Sequence, residues 1–91
     1  MFIKPTIGRD VLYNDGVSTQ RCTAKVCYVH SDNMINIGGF TSNGIPFSRT
    51  SVLLVQEEEQ ECLTGQAEWM TWQKEQAAKA EQADNLVPKV G

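Results

Sequence analysis

The sequence predicts a mainly β protein: a small, strongly bent antiparallel barrel of four to five strands, followed by a C-terminal α-helix. Three observations carry this. Short runs alternating between apolar and polar residues, separated by turn residues, fill the first 55 positions. Ser42-Asn43-Gly44 sits between two of these runs, and Asn-Gly suits the type I′ turn that matches strand twist. From Gln66 to Ala83 the chain is rich in Ala, Glu, Gln and Lys and has neither Gly nor Pro, as a helix requires. With 91 residues there is room for one domain with a thin core.

Taken in order, Pro5 and Gly8 punctuate an extended lead-in. Arg9 to Tyr13 forms a short strand with Val11 and Tyr13 on one face, ended by Asn14-Asp15-Gly16, where glycine takes positive φ at low cost. Next, Cys22, Ala24, Val26 and Tyr28 alternate with Thr23, Lys25, Cys27 and Val29, the pattern of a half-buried strand. After the turn Ser31-Asp32-Asn33, Ile35 and Ile37 share one face of a third strand, and Gly38-Gly39 marks a bulge or barrel corner. Ile45 to Arg49 returns from the Asn-Gly turn as a fourth strand, which Pro46 places at an edge or at a strand start, and Ser51 to Val55 is an apolar run of strand length, buried on both sides or covered by the C-terminal segment. The expected organisation is therefore a barrel over 1–56, an acidic loop over 57–65, a helix over 66–83 with Thr64 as N-cap, and a tail over 84–91.

Composition removes several function classes. No apolar run reaches the roughly 18–20 residues of a membrane-spanning helix, and the first residues do not form a signal peptide, so a membrane partner is not expected. The net charge of −3 is uneven: residues 1–55 hold five basic and three acidic groups, whereas residues 56–91 hold three lysines and eight acids. The front half can attract phosphate, but the acidic remainder argues against duplex DNA. Cys22 and Cys27 lie about 16 Å apart along one strand, beyond the roughly 7 Å that a disulfide bridges. The three cysteines thus read as small hydrophobes in a reducing cytoplasm, and together with the single histidine, His30, they lack zinc-ligand spacing. No nucleophile–base motif or nucleotide-binding glycine pattern is present, so neither an enzyme nor a cofactor or metal site is expected.

The candidate binding residues are few. Phe47-Ser48-Arg49-Thr50-Ser51 places a guanidinium among hydroxyls, a combination that can take a phosphate bidentately, unless Arg49 merely pairs with Asp32 or the glutamate run. Arg9 or Arg21 can supply a second cation. Trp69 and Trp72, three apart on the expected helix, either seal the barrel, stack on a base, or meet a second subunit together with Met70; Tyr13 offers a further aromatic face.

The stretches Lys4-Pro5-Thr6-Ile7-Gly8-Arg9, Val11-Leu12-Tyr13, Cys22-Thr23-Ala24-Lys25-Val26, Ser51-Val52 and the tryptophan-containing closing segment resemble a group of short proteins of tailed bacteriophages and prophages. The resemblance spans roughly residues 4–73. It implies an SH3-like barrel, and, because similar-sized phage proteins include sponges for host immune nucleotides, a non-enzymatic anti-defence protein. Such a protein would oligomerise in the host cytoplasm and sequester a small phosphorylated, cyclic nucleotide. In that reading Arg49, with Arg9 or Arg21, holds phosphate, Thr50 and Ser51 donate hydrogen bonds, and Tyr13, Trp69 or Trp72 stacks on the base. Two other readings stand beside it. The acidic run Glu57–Glu61 can imitate a phosphate backbone and block a host nucleic-acid-binding protein, and a small barrel with aromatic residues can bind single-stranded nucleic acid.

Overall fold

Each strand turns its alternate side chains inward because only that register removes the valines, isoleucines and tryptophan from water. In the computed structural model, which describes residues 2–57 and 60–86 and side-chain surroundings as far as residue 79, five strands close into a barrel. They are β1 (Asp10–Tyr13), β2 (Cys22–Ser31), β3 (Met34–Phe40), β4 (Pro46–Val55) and β5 (Ala67–Glu68), followed by helix α1 (Thr71–Leu86). The order around the barrel is β1-β2-β3-β4-β5, with β5 returning to β1. Val11, Val26, Ile35, Ile37, Leu54 and Trp69 are the most completely buried large side chains.

The mainly β barrel with a C-terminal helix is as the sequence predicts, but several details differ. Ala67 and Glu68, expected in the first turn of the helix, instead form β5, antiparallel to β1 and parallel to β4. The barrel therefore extends beyond residue 56, and one of its pairings is parallel. The helix begins at Thr71, so the expected start near Thr64 and Gln66 is corrected. Gln73 sets this start: its side-chain oxygen accepts the Met70 N–H at 2.9 Å, which is one half of a capping box, while the Met70 carbonyl accepts the Gln73 N–H in the first turn. Helix α1 also takes in residues 84–86, and the rest of the expected tail lies outside the described residues, as do Glu58 and Glu59 of the acidic run.

Bulges account for the remaining differences. The β2–β3 register shifts between Val26 and Tyr28, so Tyr28, expected on the core face, is exposed while Val29 packs against the core. Cys27, expected to serve as a small hydrophobe, is likewise an exposed free thiol, whereas Cys22 and Cys62 are buried free thiols. Pro46 to Val55 is one strand rather than two, bent where Thr50 and Ser51 both oppose Asn36 between the pairs Ile37–Arg49 and Ile35–Val52. Ser51 adopts φ 53° there, and its N–H donates to Asn36 Oδ1 at 2.8 Å. The Asn43-Gly44 hairpin forms where expected, but only Gly44 takes positive φ, and Gly44 N–H bonds to Thr41 O. That is a turn followed by a left-handed glycine, not type I′.

Candidate functional site

A cleft of about 800 Å³ lies between the lead-in and the first two turns of α1. The sequence builds it in three steps. Gln56 clamps the lead-in: its amide donates to Ile3 O at 2.8 Å and its oxygen accepts from Ile3 N–H at 3.2 Å. Gln73, only 8% exposed, ties the start of α1 to β1 by donating to Asp10 O at 3.1 Å. Between the two, Trp69 fills the core and its indole N–H donates to Gln56 at 3.1 Å.

Lys4 and Arg9 on one wall of the cleft face Trp72 and Gln76 on the other. The Arg9 guanidinium lies over the Trp69 ring, 5.7 Å from its centroid, which orients it without neutralising it. Neither Lys4 nor Arg9 forms an ion pair with a described residue. Asp10, the acid in the cleft, is held by Lys25 at 2.7 Å. Trp72 is 58% exposed, so its ring is open to a partner. Cations beside an accessible indole suit an anion attached to a flat ring.

The sequence-predicted residues do not all gather here. Arg9 and Trp72 do, with Trp69 beneath them; Trp69 is 1% exposed and so is closed to stacking on a ligand or to a subunit contact. Arg49 and Tyr13 line a separate pocket at the other end of β1, where Arg49 lies over the Phe47 ring, 5.3 Å from its centroid, and makes no ion pair with a described residue. Thr50 and Ser51 sit apart from both, at the β4 bulge. Arg21 is committed to Glu68 at 2.9 Å, and Lys74 reaches the same carboxylate at 3.6 Å. Lys4, Thr6 and Gln76 were not singled out in the sequence, and the basic Lys4–Arg9 lead-in is the signal that could have found the first two.

Among the described residues, no three His, Cys, Asp or Glu side chains converge as metal ligands would, and no helix is long and apolar enough to cross a membrane. Comparisons of the chain with protein-family models, curated proteins and solved structures find no match.

Proposed function

We propose that this protein is a non-enzymatic binding protein for a small phosphorylated ligand with an aromatic base, held in the cleft between the lead-in and α1. Arg9 and Lys4 receive the phosphate, Trp72 stacks on the base, and Gln76 and Thr6 offer hydrogen bonds at the rim. The observation that carries this reading is the pairing of two cations, free of ion pairs among the described residues, with an exposed indole in one cleft. The narrower statements, a cyclic nucleotide of host defence and a phage protein that sequesters it as an oligomer, rest on the sequence resemblance alone.

A thermal-shift panel of mono-, di- and cyclic nucleotides tests the reading. Ligand at about 100 times Kd adds roughly 2.7 kcal/mol and raises Tm by several degrees. Stacking on Trp72 also quenches tryptophan emission, whereas Trp69, buried and hydrogen-bonded, stays unchanged. Arg9→Gln and Trp72→Ala should each abolish the shift, and Arg49→Gln should keep it. No shift with any nucleotide overturns the proposal.

A further inference from the structure

The mouth of the barrel holds a pocket of about 160 Å³ that shares none of its lining with the large cleft. Its walls are largely aromatic and apolar: Tyr13 and Phe47 pack with ring centroids 5.4 Å apart, and the exposed Val17 stands at the rim. Three of its polar groups, on Arg49, Tyr13 and Thr41, can donate hydrogen bonds. The Arg49 guanidinium gives one bond to Ser48 O at 2.7 Å and keeps its remaining N–H groups free among the described residues. Tyr13 lines the pocket and is 7% exposed; its hydroxyl makes no hydrogen bond to a described residue and reaches solvent, since no buried side-chain polar atom among the described residues lacks a partner. Thr41 Oγ1 accepts from Ile45 N–H at 3.2 Å, which leaves its own proton to donate.

The charged groups set the ligand's charge. Asp15 also lines the pocket, and it remains ionised because Ser18 N–H, Val17 N–H, the Cys22 thiol and the Ser18 hydroxyl all donate to it. Both Asp15 oxygens are taken up by these donors, so Arg49 is the charged group with hydrogen bonds left to give, and its fork suits a single carboxylate. A second negative charge on the ligand would meet the Asp15 carboxylate, so a monoanion fits, with its charge on Arg49 and its body against the rings.

We propose that this mouth is a second binding site, which takes a small monocarboxylate with a compact apolar body. Arg49 grips the carboxylate through its fork, the Tyr13 and Thr41 hydroxyls complete the coordination, and Phe47 and Val17 cover the apolar part. The site is independent of the nucleotide cleft.

Titration of the ¹⁵N-labelled full chain with benzoate tests it. Saturable shifts centred on residues 13–17, 41 and 47–49 are expected. Arg49→Gln should weaken binding by about tenfold or more, since the charge-assisted pair is lost, and Tyr13→Phe by several-fold. Arg49→Lys retains the charge without the fork and should fall between. Arg9→Gln, which should abolish the nucleotide shift, should leave benzoate affinity as it is in the parent, so failure here and failure of the nucleotide reading are separable. N-acetylphenylalanine distinguishes the end of a peptide from a free acid, and its amide should not bind. Non-saturable shifts, equal affinity in Arg49→Gln, or phosphate binding as well as benzoate would each overturn the proposal.

Discussion

The indole N–H of Trp69 donates to Gln56 Oε1 at 3.1 Å, and the same oxygen accepts the Ile3 N–H. Gln56 Nε2 meanwhile donates to Ile3 O and to Asp32 O, both at 2.8 Å. One side chain therefore joins the lead-in, the β2–β3 turn and the tryptophan of the core. Because the lead-in forms one wall of the large cleft, this amide couples the packing of the barrel to the position of Lys4.

Gln56→Leu removes all four bonds and leaves the buried indole N–H unpaired. The expected loss is about 2–3 kcal/mol, from orphaned polar groups and a broken network. In a chain of this length that lowers Tm by roughly ten degrees or more. Urea unfolding followed by tryptophan emission measures it, and a loss below about 0.5 kcal/mol would show that the clamp is not structural.

Gly39 marks a close approach between β3 and β2. A Cβ there would collide with the Thr23 carbonyl and crowd Ala24, both on the facing strand β2. Gly44, at φ 80°, has open space around it. Gly39→Ala must therefore push backbone apart, with an expected cost above about 2 kcal/mol, whereas Gly44→Ala meets only the left-handed penalty of about 1 kcal/mol. Equal melting temperatures for the two variants would contradict the close approach.

Much of the barrel was legible because its period-2 signals are local. Val11 and Tyr13, Cys22 to Val26, Ile35 and Ile37, and the Asn-Gly hairpin all lie where alternation puts them. What alternation does not encode is the bulge: one extra residue at Cys27 turns Tyr28 outward, and another at Thr50-Ser51 fuses two apparent strands. Strand β5 has two residues within a string of helix formers, and only closure against β1 and β4 makes it a strand. The candidate site was half legible for a related reason. Residue type identified Arg9, Trp72, Tyr13 and Arg49 as candidates, but closure of the barrel divides them between the two ends of β1.

Acid should weaken the fold through Asp15. The Ser18 and Val17 amides hold its carboxyl at about 2, below its ordinary 3.8. Below that ordinary value the unfolded chain takes up the proton first, so stability is full above about pH 4 and is lost as pH falls towards 2. Glu68 acts in the same direction: burial raises its carboxyl, but hydrogen bonds from Arg21 and Cys62 and the charges of Lys74 and Arg21 bring it below its ordinary value. Asp15→Asn should flatten the pH dependence of the urea midpoint between pH 4 and 2. A variant as acid-sensitive as the parent would remove Asp15 from the account.

Thiol chemistry separates the three cysteines. Burial pushes the Cys62 thiol up to about 11, with the Glu68 carboxylate adding to the shift. Cys22 is also raised, by burial first and then by its hydrogen bond to Asp15. Both are short of thiolate, the reactive form, and both are covered. Cys27 is exposed on β2, with its thiol beside Gly38 on the facing strand. A disulfide reagent such as dithiobis-nitrobenzoate should therefore titrate one thiol quickly in the folded protein at pH 8 and all three in denaturant. Cys27→Ser should abolish the fast phase without lowering Tm, since the thiol is exposed. Fast modification of two or three thiols in the native state would mean that the barrel opens around Cys22 or Cys62 far more readily than its packing implies.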